Sequence, residues 1–426
     1  MELDKKIIPC KLSGIERSET NILATLQQLD FKHESELVNK VIITLKGIIE
    51  KENQNIQIEE DSEENLRRGT LFYNFTDFNK ALNLFNKSLT LNYNSAAALS
   101  NKSITLCKLN RFEEALESIN EAIKINPKMV ELWSNKGVIL YHLNYFDDAL
   151  HAYEKAIELD SSYSFAWTNR GVIFKKFYNI PEALENYIEA ITLNPKNAVA
   201  LSNIGVILDE IGFFEEAYEI QVKSTILNPY YPLAWYNIGV VLGKIGGSPE
   251  DILKAYDKAT ELNPKDADFW FNKGHALIKL NEYLKALDSF DKTTHINPNL
   301  IKAWNDKGSL LIKLSRPKEA LLAFNTALKY ETKIFLLVNK LIALKILGRK
   351  KEALEIIKKI EKITPKSSQD FYSLAFLFAF VNIKDKTIKY LVQAVKLDSQ
   401  FKEKAKKDEI FKNLWDDKDF KKVVNN

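Results

Sequence analysis

The chain has 426 residues, 46% hydrophobic and 27% charged, which is ample for a folded protein and too long for one compact core. Lysine and arginine number 60 against 57 aspartates and glutamates, a net charge of +3 spread along the sequence. That balance excludes the concentrated basic field of nucleic-acid and anionic-membrane binders, so neither nucleic acid nor membrane insertion is expected.

The opening stretch MELDKKIIPCKLSG lacks the apolar core of a signal peptide. Cys10 and Cys107 form no disulfide framework and no metal-ligand spacing, which suits a reducing compartment. The most apolar run, Phe371 to Val381, falls short of the roughly 20 residues that span a bilayer. A cytoplasmic protein is expected. Asn21 to Leu29 and Glu36 to Glu50 read as amphipathic helices, the second with Leu37, Val41, Leu45 and Ile48 along one face. The acidic stretch Glu50 to Glu64 reads as a linker. Residues 1–61 therefore form a helical extension that pads the rest of the chain, recruits a partner or makes a homo-oligomer; the sequence leaves all three open.

From residue 62 onward the chain repeats. Pro195, Pro229, Pro264 and Pro298 each follow Leu-Asn or Ile-Asn, at spacings of 34, 35 and 34. Stepping back by 34 reaches Ser161, Pro127 and Tyr93; stepping forward by 34, 33 and 34 reaches Thr332, Pro365 and Ser399. A small-residue column stands 24 upstream of these: Gly69, Ser103, Gly137, Gly171, Gly205, Gly274 and Gly308, then Leu341 and Ala375. Gly239 stands 25 upstream of its proline because that repeat holds one extra residue. Five of the six tryptophans (Trp133, Trp167, Trp235, Trp270 and Trp304) lie four before the glycine, too regular a placement for chance. An alanine column runs from Ala81 to Ala353, and a large apolar column from Phe85 to Leu391 stands four residues after it.

Each repeat splits into two amphipathic stretches at a short polar turn; in the third they run from about Val130 to Leu143 and Phe146 to Leu159. Turns such as Leu109-Asn110-Arg111, Leu143-Asn144-Tyr145 and Ile211-Gly212-Phe213 carry helix-stop chemistry. Ser248-Pro249-Glu250 reads as a cap with proline in the first helical turn. Around Asn228 to Pro249 the pattern is irregular, with the extra residue, four glycines and adjacent tyrosines. Gln221 replaces the aromatic of the preceding repeat.

These columns resemble the tetratricopeptide signature, in which Trp, Gly and Tyr lead to Ala, Phe, Ala and Pro over 34 residues. The resemblance covers residues 62–401 and implies an all-α, right-handed superhelical solenoid of about ten stacked helix-turn-helix hairpins, the first helix of each lining the concave side. Residues 402–426, with Phe411, Leu414, Trp415 and Phe420 as apolar anchors, resemble the closing helices of prokaryotic arrays of this family.

No catalytic constellation stands out. His33, His142, His151, His275 and His295 are scattered without partners at ligand spacing, and the glycines are not gathered into a phosphate loop. Neither an enzyme nor a cofactor is expected. The surface that can carry function is a polar column two residues before the glycine: Asn101, Asn135, Asn169, Asn203, Asn237 and Asn272, continued by Asp306 and Asn339. A carboxamide offers a donor and an acceptor, matching the main chain of an extended peptide. This column is similar to the asparagine ladder of the O-linked N-acetylglucosamine transferase solenoid; the same amides also suit hydrogen bonds between helices. A lysine column (Lys108, Lys176, Lys244, Lys279, with Lys313) favours an acidic partner or answers the helix dipole. The chaperone-tail carboxylate clamp is not matched, because Ser100, Ser134, Thr168 and Ser202 stand where it needs cations. The expected function is a non-catalytic adaptor binding a protein or peptide; the alternatives are a self-associating assembly subunit and the non-catalytic partner of an enzyme on another chain.

Overall fold

Every helical hairpin among the described residues reverses through one residue in the left-handed backbone region. In a computed structural model, which describes residues 61–425, these residues are Thr76, Asn110, Asn144, Tyr178, Gly212, Gly246, Asn281, Ser315, Gly348 and Asn382. Just past this residue, an N–H returns to a carbonyl in the last turn of the first helix: Arg111 N to Leu106 O, Tyr145 N to Leu140 O and Phe213 N to Leu208 O are each 2.9 Å. That closure satisfies carbonyls the helix end would otherwise leave open, and asparagine and glycine adopt the conformation at least cost. The amphipathic segments expected before residue 61 lie outside the described residues.

The chain divides into two units on either side of Pro127, each described separately. In the first, α1 (Ser62–Asn74) pairs with α2 (Phe78–Leu91) and α3 (Ala96–Lys108) with α4 (Phe112–Ile125). Asp61 caps α1 by accepting from Glu63 N, so Glu63 and Glu64 are helical rather than linker; carboxylates suit the positive first turn of a helix.

The second unit continues with α5 (Val130–His142) and α6 (Phe146–Leu159), α7 (Ser164–Lys176) and α8 (Ile180–Leu193), α9 (Ala198–Glu210) and α10 (Phe214–Leu227), and α11 (Pro232–Lys244) and α12 (Pro249–Leu262). It closes with α13 (Ala267–Lys279) and α14 (Tyr283–Ile296), α15 (Ile301–Lys313) and α16 (Pro317–Tyr330), α17 (Ile334–Ile346) and α18 (Lys350–Glu361), and α19 (Ser368–Phe380) and α20 (Lys384–Leu397). No strand occurs among the described residues. Each hairpin packs internally and against its neighbours in the unit.

The glycine column sets the distance within a hairpin. A Cβ on Gly171 would sit 2.7 Å from the ring of Tyr187, and one on Gly274 2.7 Å from the ring of Phe290. The bare backbone is what lets the large residue of the second helix lie flat against the first. In the other column Ala81, Ala115, Ala149, Ala183, Ala217, Ala286 and Ala320 are fully buried, and Ala353 is half-buried. Gln221 takes the ring's place beneath Gly205 without leaving a polar atom stranded: its Oε1 accepts from Ser202 Oγ at 2.8 Å and its Nε2 donates to Ser202 O at 2.9 Å. The tryptophan column combines packing with a hydrogen bond, and Trp167 lies against the buried cluster of Ala183, Tyr187, Ala190 and Ala200. Trp167, Trp235 and Trp304 are half-buried, and their indole N–H groups reach back to the carbonyls of Ser161, Pro229 and Pro298 at 3.0, 2.9 and 2.8 Å. The tryptophan thus pins the turn that enters its own repeat.

The Asn-Pro pairs are explained by the same turns. Asn194, Asn228, Asn263 and Asn297 end a second helix, and each side-chain oxygen accepts from the N–H two residues on. The extra residue of the irregular repeat falls inside one hairpin turn, at Gly246-Gly247, and Ser248 then caps α12. After α20 come α21 (Gln400–Lys407), a 3-10 turn (Glu409–Leu414) and α22 (Lys418–Asn425). Phe401, Phe411, Phe420 and Val424 bury against Tyr372, Ala375, Leu391 and Ala394 of the last hairpin. Asp408 accepts from the Tyr372 hydroxyl at 3.0 Å, and Lys384 pairs with Asp417 at 2.6 Å.

Candidate functional site: the first-helix face

Successive first helices touch one another within the second unit, as α5 with α7, α7 with α9, and α9 with α11. Side chains two residues before the glycine therefore recur at one-repeat intervals along a common face. The asparagines of this column fall into two groups.

Some are bonded to the helix behind them. In the first unit Asn101 Nδ2 donates to Thr70 Oγ1 at 3.3 Å. In the second, Asn237 Nδ2 donates to Ser202 Oγ at 3.4 Å and Asn272 Nδ2 to the Tyr236 hydroxyl at 3.0 Å. Burial, with Asp268 and Asp266 nearby, holds the Tyr236 phenol above its ordinary range, so it stays a neutral acceptor. Farther on, Asn339 Nδ2 donates to Asn305 Oδ1 at 2.7 Å, Asn305 Nδ2 to Asp306 Oδ1 at 3.1 Å, and His275 Nε2 stands 3.1 Å from Asp306 Oδ2. This polar chain runs across α13, α15 and α17.

Asn169 and Asn203 are different. Both are half-buried, and neither side chain has a hydrogen-bond partner among the described residues. The buried polar groups beside them are already engaged: Asn197 Nδ2 donates to Ser164 Oγ at 2.7 Å and to Thr168 Oγ1 at 2.9 Å. Val172 and Val206, one position beyond the glycines, are half-buried and give this part of the face an apolar floor. Asn135, on α5, is half-buried as well.

The lysines divide too. Lys176 lies over the rings of Phe146 and Tyr141, 5.2 and 5.8 Å from their centroids. Lys244 pairs with Asp209 at 2.7 Å and covers the Phe214 ring at 5.2 Å, and Lys313 covers Tyr283 at 4.2 Å. Each thus spans 30 residues to the aromatic that opens the preceding second helix. Lys108 and Lys279 are exposed without such partners among the described residues. The partners that reasoning from columns missed, Ser202, Tyr236 and Asn305, share one register three before the glycine. Their residue type varies, which hides them.

Among the described residues no three His, Cys, Asp or Glu side chains gather to hold a metal ion, and no helix is long and apolar enough to cross a membrane.

Models of the tetratricopeptide repeat match residues 66–129, 130–163, 255–288 and 301–333. No curated protein matches the chain. Among solved structures the chain is similar to one in the crystal structure of the APC/C hetero-tetramer Cut9-Hcn1, with 18% identity and a TM-score of 0.53 over 77% of this chain. It spans 64% of that relative's length, and the likeness is one of fold. It is also similar, over 45% of its length, to YrrB, a TPR protein with an unusual peptide-binding site; identity is 26%, TM-score 0.33, and 98% of YrrB is covered.

Proposed function

This chain is a tetratricopeptide-repeat protein, and we propose that it is a non-catalytic adaptor that holds an extended peptide or protein segment along its first helices. The observation that carries this reading is the pair Asn169 and Asn203, half-buried amides on successive first helices with no partner among the described residues. A carboxamide in such a place gains most from a ligand that brings both a donor and an acceptor, and a peptide main chain brings both at every residue. Val172 and Val206 would take the ligand's apolar side chains. In this reading the stack is a right-handed superhelix with these residues on its concave wall. Asn135 extends the row, while Asn237 and Asn272 offer their carbonyl oxygens to ligand N–H groups; Asn101 offers the same group in the first unit, taken by itself. Lys108 and Lys279 steer an acidic partner in from solvent; Lys176 and Lys244 are mostly occupied. The setting that suits such an adaptor is the cytoplasm.

The test starts with capture of the partner from native lysate, identified by mass spectrometry and then made as a peptide. Asn169→Ala with Asn203→Ala should weaken its binding while leaving helicity unchanged. At about 0.5–1.5 kcal/mol for each net hydrogen bond, two sites predict a roughly 5- to 150-fold loss. Unchanged affinity in the double variant sinks the reading. Light scattering addresses the rival role: mass that grows with concentration, and stops growing when residues 1–61 are removed, makes the chain a self-assembling subunit.

A further inference from the structure

A second surface lies away from the asparagines, along the edge where the hairpins turn. On three consecutive hairpins, α5–α6, α7–α8 and α9–α10, this edge carries exposed Tyr145, Phe177, Tyr178, Ile211 and Phe213. The residues are neighbours in space as well as in register. Phe177 meets the edge of Phe146 at 5.2 Å between centroids, and Lys175 joins Glu210 at 2.9 Å, tying the end of α7 to the end of α9.

Tyr178 is the anomaly. It is 89% exposed and occupies the left-handed position at φ +59°, where the other nine turns place asparagine, glycine, serine or threonine. A bulky side chain is disfavoured there, and neither packing nor turn chemistry asks for it. Large apolar side chains left in water side by side mark a contact surface more often than isolated ones do.

The charges around the patch say what fits it. Asp147, Asp148, Glu182, Glu215 and Glu216 are exposed in the opening turns of α6, α8 and α10, with no cationic partner among the described residues. Their placement suits the helix dipole, which explains the carboxylates but not the aromatics between them. The cations at this edge are already used, Lys175 by Glu210 and Lys176 by the rings of Phe146 and Tyr141. What is left is a row of aromatic faces inside an uncompensated negative rim. Lys176 itself shows how a cation sits on such a ring.

We propose that this turn edge is a binding surface, distinct from the asparagine face, for a protein segment that alternates lysine or arginine with apolar residues. The partner's cations lie over Tyr145 and Tyr178 and between the carboxylates, and its apolar side chains cover Phe177, Ile211 and Phe213.

The experiment uses the full chain and a fluorescent decapeptide alternating arginine and leucine, with a glutamate–leucine decapeptide as control. Binding of the basic peptide alone, weakening as salt rises, is expected. Tyr178→Asn places an ordinary turn residue at the strained position, so the thermal midpoint should hold or rise while affinity falls at least fivefold. Adding Phe213→Ser should bring the loss to tenfold or more. Asn169→Ala with Asn203→Ala should leave this binding unchanged, which separates its fate from that of the adaptor reading. Equal binding of the two peptides, no binding of the basic one, or full affinity in Tyr178→Asn overturns the proposal. So does a concentration-dependent mass that Tyr178→Asn abolishes, since a second copy would then be what covers the edge.

Discussion

Asn169 and Asn203 stand in the same column as Asn237, Asn272 and Asn339, on helices of the same length, yet only the second set bonds to the helix behind it. The difference lies one position away from the column. On the bonded side, the preceding first helix offers Ser202 Oγ, the Tyr236 hydroxyl or Asn305 Oδ1 within reach. On the unbonded side, Thr168 and Ser164 are taken by the buried Asn197, so nothing is left for Asn203. An amide column is thus a shared resource. Where neighbours accept its hydrogens it fixes one hairpin on the next, and where they do not it is available to a ligand.

The largest blow to the comparison would come from removing residues 402–426, which should uncover the last hairpin. Phe411 and Phe420 are almost wholly buried, and each contributes about 1.5–3 kcal/mol by burial alone. The truncated chain should aggregate or melt early, and native-state hydrogen exchange should show the loss at α19 and α17 before α9 and α7. A truncated chain that stays monomeric with an unchanged midpoint would mean the closing segment does not stabilise the array.

Next in size is a test that both groups of hairpins share one scaffold. Gly171→Leu and Gly274→Leu each drive a side chain into a ring 2.7 Å from the added Cβ. Overpacking of this kind costs about 1–3 kcal/mol or more. The two variants should lower the denaturant midpoint alike, with little change in its slope. A tolerated leucine at either site would show that the two halves are built differently.

The asparagines themselves come third. Asn237→Ala, Asn272→Ala and Asn339→Ala should each lower stability by about 0.5–1.5 kcal/mol, since each removes a helix-to-helix bond. Asn169→Ala and Asn203→Ala should cost nothing measurable. Equal costs across the five, read by urea unfolding, would erase the distinction.

The smallest effect concerns Tyr187 and Tyr256, which fill the same slot on either side of Gln221. Burial pushes both phenols above their ordinary range, and the Tyr187 hydroxyl is buried without a partner. The folded state therefore favours the neutral form. Their contribution is complete below the unfolded value near pH 10 and is lost as pH rises through the higher folded values. Tyr187→Phe should be neutral or up to about 1 kcal/mol stabilising at pH 7, and it should flatten the alkaline loss. Titration at 295 nm alongside thermal melts at pH 8 to 11 would check both; a steeper alkaline loss in the variant would contradict the assignment.

Much of the fold was legible because it is carried by columns of one residue type. Gly171 and Tyr187 recur in register because a bare backbone and a ring must meet in every hairpin, and Asn194-Pro195 recurs because the turn uses the amide oxygen. Even the exception could be read: Gln221 stood out as the wrong type in its column, though its pairing with Ser202 did not. The candidate site was harder. Whether Asn237 is bonded depends on a residue 35 positions back whose type changes from repeat to repeat, so no column displays it. Lys176 and Lys244 looked like a charge row, but the rings they cover lie 30 residues upstream, on another helix. Tyr178 passed unnoticed because an exposed aromatic in a turn leaves no periodic trace.

The extra residue at Gly246-Gly247 bears on how the chain can be cut and rejoined. It lengthens one turn while α11 keeps 13 residues and α12 keeps 14, and Gly239 still faces the Tyr256 ring. Turn length is therefore uncoupled from helix register. The same slack makes the Gly246–Gly247 bond a natural breakpoint. New termini opened there, or a small foreign domain spliced in as a cassette, leave the packed faces of both flanking helices untouched.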